Sequence, residues 1–428
     1  MPIAVKMLNK KLTTYKLKQI LSGQYIRNVG WLGGAELANR FFRLGTTVTL
    51  ARMFSPEDYG LMAVIYTLFE FANVFTLRGG IGAKIIQASE QDVKTICNTS
   101  YWLNWILCGS IFIIQCVAAS FIADFYGKKQ LTLPICVAAV TYLMLPLYMV
   151  HLAIIERENR LKITAFCNAT QSLLSNTITV ILALLGMGVW SIVWAMVLTT
   201  PAWIIITWKN HEWRPPKSFS LEGWQKITSF GGNLLGIELL NKIKGNIDYL
   251  IIGRFLGVEA LGIYYFAFNA GLGISMNVIN TLNSALFPYL CEVRDNTTLL
   301  KERFFSSLKK ICIITFPLII LQSSLAPFYV PIIFGQKWTS AIPILVLICL
   351  SALPIPIENA VYHLLNAIGK PRISLYWNLI KTLTFSILVL LVVKWGILAV
   401  AILVITHQFF TAPLFNIWVI RYILKPIK

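Results

Sequence analysis

Two stretches carry charged side chains inside runs that are otherwise apolar. The first holds Glu36, Arg40 and Arg43; the second holds Glu238, Lys242, Lys244 and Asp248. The spacing pairs Glu36 with Arg40, Glu238 with Lys242, and Lys244 with Asp248, each an i,i+4 pair that shares a helix face. Arg43 is left with Glu36 seven residues back as its only acid in the run, and a guanidinium so placed suits phosphate oxygens bidentately. Polar stripes accompany the charges. Asn168, Gln171 and Ser175 share one face; Asn277, Asn280 or Thr281, and Ser284 share a second; Asn378, Lys381 and Thr382 share a third. Amides and hydroxyls at this spacing can bind a sugar, although each alone more often bonds between helices. Further in-run charges are Glu70, Glu358 and Lys381.

The elements that position these groups follow from composition. Of 428 residues, 57% are hydrophobic and 13% charged, against about a quarter charged in a soluble domain. Apolar runs near 28–52, 59–78, 98–122, 131–154, 163–187, 189–208, 228–252, 261–287, 310–329, 340–366, 373–393 and 396–420 each approach the roughly 20 residues that cross a bilayer core. The chain therefore reads as an all-α polytopic membrane protein with about twelve transmembrane helices. Charges in such helices are expensive and belong in a bundle interior or aqueous cavity. Pro146, Pro317, Pro354 and Pro356 are expected to kink their helices, and Trp190, Trp208, Trp338 and Trp395 to anchor span ends at the interface.

A shift of 202 residues superposes Gly30, Gly34, Glu36, Leu37, Asn39, Arg52, Glu57 and Gly60 on Gly232, Gly236, Glu238, Leu239, Asn241, Arg254, Glu259 and Gly262. A shift of 212 pairs His151 and Arg160 with His363 and Arg372. The expected organisation is two six-helix bundles in parallel repeat, at 28–208 and 228–420. A basic cytoplasmic segment at 1–27, a cytoplasmic linker at 209–227 and a tail at 421–428 complete it. With both termini inside, 26 Lys and Arg fall in cytoplasmic segments against 6 outside, a positive-inside bias. The basic residues of 1–27 have no apolar core among them, so no signal peptide is read there.

These features exclude several functions. The net charge of +19 is distributed as topology rather than as a patch, so nucleic acid is not an expected partner. Eight cysteines form no CxxC pair and four histidines no HExxH, so neither a disulfide framework nor a metal is expected. No GxxxxGK[ST] stretch marks a P-loop. The exterior loops are short, and Glu57 and Asp58, the only adjacent acids there, stand at a helix start where acids are favoured anyway. An enzyme is not expected.

Several motifs resemble a known family. LARMFSPEDYG (50–60), GGIGAKIIQ (79–87), ERENRLKI (156–163), IDYLIIGRFLGVEALGIYYFA (247–267), ALFPYL (285–290), FGQKW (334–338) and NAIGKPR (366–372) resemble polysaccharide-transporter flippases. These belong to the superfamily of multidrug, oligosaccharidyl-lipid and polysaccharide exporters, with O-antigen flippases and MATE-type exporters. The resemblance covers roughly 28–420. It implies a V-shaped pair of bundles in the bacterial inner membrane. It also implies movement of an undecaprenyl-diphosphate-linked oligosaccharide between leaflets by alternating access, for O-antigen, capsule or exopolysaccharide. No cofactor is implied beyond a coupling ion, H+ or Na+; the partners are the lipid-linked substrate, membrane lipids, and a polymerase with its export machinery. On that reading Arg40, Arg43 and Lys242 meet the diphosphate, and Asn168, Gln171, Asn277, Asn280, Ser284 and Asn378 line the glycan path. Glu36, Glu238 and Asp248 serve ion coupling. These roles rest on position in the spans rather than on family motifs. The alternatives are a drug or cation antiporter on the same scaffold, or a membrane polysaccharide polymerase or ligase.

Overall fold

A computed structural model of the chain describes residues 42–423, and the regular structure among them is all helix, without a strand. Among the described residues, seven helical segments are long and apolar enough to cross a membrane, including Pro56–Gln87, Val93–Phe125, Thr297–Phe334 and Ile397–Ile423. An eighth is added if Lys129–Met144 and Pro146–Arg157 count as one span bent by 47°. Pro146 sits at that bend, where it deprives the helix of a donor. Leu161–Leu184, Trp224–Phe255 and Val258–Ser284 have the length. They fall short in apolarity because they carry the polar stripes and charges singled out above.

Local chemistry explains the boundaries. In SPEDYG, the Ser55 amide donates to Asp58 Oδ2 (3.0 Å) and the Asp58 amide donates to Ser55 Oγ (3.1 Å). This reciprocal cap starts the Pro56–Val74 helix. That helix differs from the expected span 59–78. It breaks at residues 75–77, where Thr76 Oγ1 donates to Asn73 O and Leu77 adopts φ 52°, and resumes as Arg78–Gln87. Arg78, at the end of the expected span, and Lys84, beyond it, thus lie together on one further helix. Pro354 and Pro356 likewise part Ile342–Ser351 from Ile355–Ala367, whereas Pro317 lies within the helix Thr297–Tyr329.

The chain divides into two compact units. Of the described residues, one holds 42–50, Phe69–Ile122 and Lys129–Glu238; the other holds Ala51–Leu68, Ala123–Lys128 and 239–423. In the first, Cys108, Tyr142, Tyr148, Cys167 and Trp203 form one core, and Ile81, Ile85, Cys97, Val150 and Ile227 another. The cysteines here pack as small apolar side chains. Arg157 braces the first unit. It donates to the carbonyls of Ile85 and Ile86 (3.1 Å each) and Ala88 (2.5 Å), and pairs with Glu90. The last carbonyls of the Arg78–Gln87 helix, which have no intrahelical partner, are satisfied in this way.

In the second unit the helices beginning at Pro56 and Val258 cross at Gly60 and Gly262. A methyl group on Gly60 would overlap the Val258 carbonyl, and one on Gly262 would overlap the Pro56 carbonyl. The two glycines are related by the 202-residue shift, so the repeat recurs in three dimensions as a reciprocal contact. Around it lie Phe54, Tyr59, Phe266, Phe334 and Trp338, joined ring to ring. Trp338 is fully buried, and its indole N–H donates to the Ala51 carbonyl (2.7 Å). This corrects its reading as an interface anchor; Trp395, 68% exposed, keeps that option. The FGQKW motif acquires a physical reason. Gly335 takes φ 105°, open to glycine alone, and turns the chain so that Lys337 donates to the carbonyls of Arg52 and Phe54. Arg52 returns the contact to the carbonyls of Ile332 and Ile333 (2.7 and 2.9 Å), and its repeat mate Arg254 donates to the Phe125 carbonyl (2.9 Å).

Candidate functional site

The densest polar constellation among the described residues lies in the second unit and joins four helices. Glu358, on Ile355–Ala367, is 4% exposed and Lys381, on Pro371–Val392, is 7% exposed. The Lys381 ammonium reaches both Glu358 carboxylate oxygens at 2.7 Å. Tyr362 Oη donates to Glu358 Oε1 (2.7 Å), and Gln408 Nε2, on Ile397–Ile423, donates to Oε2 (2.9 Å). A buried carboxylate is tolerated when paired and hydrogen-bonded, and this one is both. Asn378 Oδ1 stands 3.0 Å from Tyr362 Oη and accepts from Lys244 Nζ, on Trp224–Phe255, at 2.7 Å. The Lys244 ammonium also lies 5.8 Å from the Tyr362 ring centroid. Beside the cluster, Thr384 Oγ1 and His407 Nε2 are 3.2 Å apart.

The first unit presents a second cluster. The Arg78 guanidinium lies 5.6 Å from the Trp203 ring and 5.9 Å from that of Tyr148, and the two rings stack on each other. The Trp203 indole N–H donates to Gln171 Oε1. Sequence reading placed Arg78 at the very end of a span and did not single it out. The signal that could have found it is the Gly79–Gly80 pair, which admits close neighbours: a Cβ on Gly80 would press on Gly231, and one on Gly79 would stand 3.0 Å from Glu238 Oε1.

The residues expected from sequence distribute unevenly. Arg40 and Glu36 lie outside the described residues. Arg43 is exposed, and its carbonyl accepts from Thr47 Oγ1. Lys242 is half-buried and has a partner of its own, while Glu238 is exposed, with its Oε1 beside Gly79. The expected Lys244–Asp248 pair does not form. Asp248 is buried and accepts from Tyr264 Oη (2.8 Å) and the Tyr249 amide (3.0 Å), while Lys244 turns to Asn378. Each side chain finds a tertiary partner better aimed than its helical neighbour. Asn168 is exposed and Gln171 half-buried. In the second stripe Asn277 donates to Gly273 O, Thr281 to Asn277 O and Ser284 to Thr281 O. That stripe is thus bonded mainly to its own backbone, with Asn280 exposed beside it. Asn378 is the member of the expected set that joins the four-helix network.

Comparison with known proteins extends the picture. The sequence pattern of a family described as polysaccharide biosynthesis protein matches residues 49–343. The teichuronic acid biosynthesis protein TuaB of Bacillus subtilis is 25% identical over 410 residues, covering 95% of this chain and 83% of the relative. The lipopolysaccharide biosynthesis protein WzxC of Escherichia coli is 26% identical over 342 residues, covering 78% of this chain and 68% of the relative. In three dimensions, the lipid II flippase MurJ in an inward closed conformation matches with TM-score 0.75 at 14% identity. The match covers 91% of this chain and 87% of that one. At that identity the likeness is one of fold.

Proposed function

From the premise that this chain belongs to the polysaccharide biosynthesis protein family, we propose that it is a flippase for a lipid-linked saccharide. It is a membrane transporter and not an enzyme. The substrate is an undecaprenyl-diphosphate-linked oligosaccharide, carried from the inner to the outer leaflet of the bacterial inner membrane by alternating access. Both termini are cytoplasmic in this reading, in keeping with the Lys and Arg bias. The product feeds a polymerase and its export machinery for O-antigen, capsule or exopolysaccharide.

The observation that carries the reading is the agreement of relatives with fold. TuaB is named for teichuronic acid biosynthesis and WzxC for lipopolysaccharide biosynthesis, and MurJ, whose fold this chain shares, is named as a lipid II flippase. The site chemistry supports it. A diphosphate needs cations within the helices, and Arg43 and Lys242 are such cations; Gln171 and Asn168 offer amides to a glycan. Glu238 and Asp248 are the proposed coupling carboxylates for H+ or Na+, since a change in carboxylate charge alters the balance between two conformations.

The test is deletion of the gene in its host, extraction of lipid-linked saccharides, and oxidation of spheroplasts with a membrane-impermeant oxidant. Complete repeat units protected from the oxidant are expected. Complete units fully open to it would overturn the reading.

A further inference from the structure

The four-helix network holds two ammonium groups and one carboxylate. Glu358 is committed to Lys381, Tyr362 and Gln408. The acid one turn along from Lys244 on its own helix, Asp248, is committed to Tyr264 and to the Tyr249 amide. Lys244 is therefore the charge in excess, and it is the exposed one: Glu358 and Lys381 are buried behind it. Of its three ammonium donors, one is used on Asn378 Oδ1. An exposed ammonium partway along a membrane-spanning helix is costly against lipid and signals contact with water or an anion.

The neighbours of Lys244 are arranged to hold it. Tyr362 has a single phenolic hydrogen, and the 2.7 Å contact to the charged Glu358 oxygen claims it ahead of the 3.0 Å contact to Asn378. Asn378 Oδ1 is then satisfied by Lys244, and Asn378 Nδ2 is left as a second donor beside the ammonium. A buried pair that fixes Tyr362, a tyrosine beneath Lys244, and an amide with a donor to spare together make an anion receptor on a rigid footing.

We propose that Lys244, with the Asn378 amide, contacts a phosphate carried on a lipid, and that this phosphate is the diphosphate of the transported substrate, with the Glu358–Lys381 pair holding the receptor in place. The inference rests on the flippase reading and adds a site to it. Lys244 touches the ligand, whereas Glu358 and Lys381 act through it as positioning residues. Because Asn378 lies on the same helix as Lys381, an anion that draws Lys244 away from Asn378 also alters the bonding of the Pro371–Val392 helix.

The experiment uses the purified full-length protein in detergent and native mass spectrometry. Undecaprenyl diphosphate and phosphatidylglycerol are titrated separately, with thermal unfolding of each variant as the folding control. Wild type binds undecaprenyl diphosphate, and Lys244→Gln weakens it about tenfold or more, as loss of a charge-assisted contact should. Lys244→Arg retains most of the affinity, and phosphatidylglycerol binding changes little. A second variant separates binding from folding. Asn378→Asp places a carboxylate on Lys244 and neutralises it in place, so it is expected to lose undecaprenyl diphosphate while unfolding no earlier than wild type. Equal affinity in wild type, Lys244→Gln and Asn378→Asp overturns the site. Equal losses for both lipids overturn the substrate assignment in favour of a headgroup. Absence of undecaprenyl diphosphate binding by wild type overturns the flippase reading itself, a failure distinct from the other two.

Discussion

Replacing Lys381 with Met removes both 2.7 Å contacts to the Glu358 carboxylate and leaves the Tyr362 hydroxyl and the Gln408 amide in place. The side chains of Lys381 and Glu358 are 8% and 5% exposed, so water has little access to the orphaned charge. Breaking a buried pair by removing one partner costs about 3–5 kcal/mol. With two of the four donor contacts retained, the expected loss lies at the low end, about 3 kcal/mol. Glu358→Gln in the same chain removes the charge, keeps one oxygen to accept from Tyr362, and presents an NH2 to Gln408, whose amide can turn to offer its own oxygen. The double variant should therefore recover to within about 1 kcal/mol of wild type, because a buried pair replaced as a unit is often close to neutral. The assay is equilibrium unfolding of purified protein in detergent, followed by tryptophan fluorescence and analysed as a double-mutant cycle, with an expected coupling of about 2 kcal/mol or more. A Lys381→Met loss below about 1 kcal/mol, or strictly additive effects, would refute the reasoning that this pair holds the network together.

Three further expectations concern the packing and the cations. Gly60→Ala and Gly262→Ala each drive a methyl group into a backbone carbonyl, so each should cost more than the usual 1–3 kcal/mol or so of overpacking. Gly82→Ala, with nothing within 4 Å, should be tolerated, and the recovery of monodisperse protein after detergent extraction reads the contrast. Trp338→Phe leaves the buried Ala51 carbonyl without its donor, worth about 1–3 kcal/mol, and thermal unfolding should show an earlier transition. Arg43→Ala and Lys242→Ala should lower surface polymer at matched membrane expression; wild-type polymer from both would remove them from the diphosphate path.

What the sequence made legible, and what it hid, divides along physical lines. The apolar runs announce helices because a span must satisfy its own backbone, and Pro146 announces its bend because it lacks the N–H a helix needs. Glycines such as Gly60 and Gly262 are legible as repeat partners, but their crossing is not, since sequence cannot say which backbone will press on a missing Cβ. The expected span 59–78 runs across the break at residues 75–77 and stops at its far side; RGGIGAKIIQ, with three glycines, is poor in strong helix formers, yet tertiary contacts at Gly80, Ile81 and Ile85 hold it as a helix. The i,i+4 rule predicted a Lys244–Asp248 pair. An isolated helix would form one for a few tenths of a kcal/mol or so, and stronger partners on other helices, Asn378 and Tyr264, take both side chains instead. Glu358 and Lys381 were visible as charges in membrane-spanning runs, and their partnership was not, because 23 residues and a turn separate them. Trp338 looked like an interface tryptophan from its place near a span end, yet the turn at Gly335 carries it into the core.

The central claim is that this chain moves a lipid-linked saccharide across a bilayer. The most direct measurement places the purified protein in liposomes with an undecaprenyl-diphosphate-linked oligosaccharide in both leaflets, then adds a membrane-impermeant oxidant. Without protein, the oxidant reaches only the outer-leaflet share; with wild type it is expected to reach nearly all of the substrate, and with Lys244→Gln to fall back toward the protein-free level. Oxidation that stops at the outer-leaflet share in the presence of folded wild-type protein, with the proposed coupling ions supplied as gradients, would contradict the account.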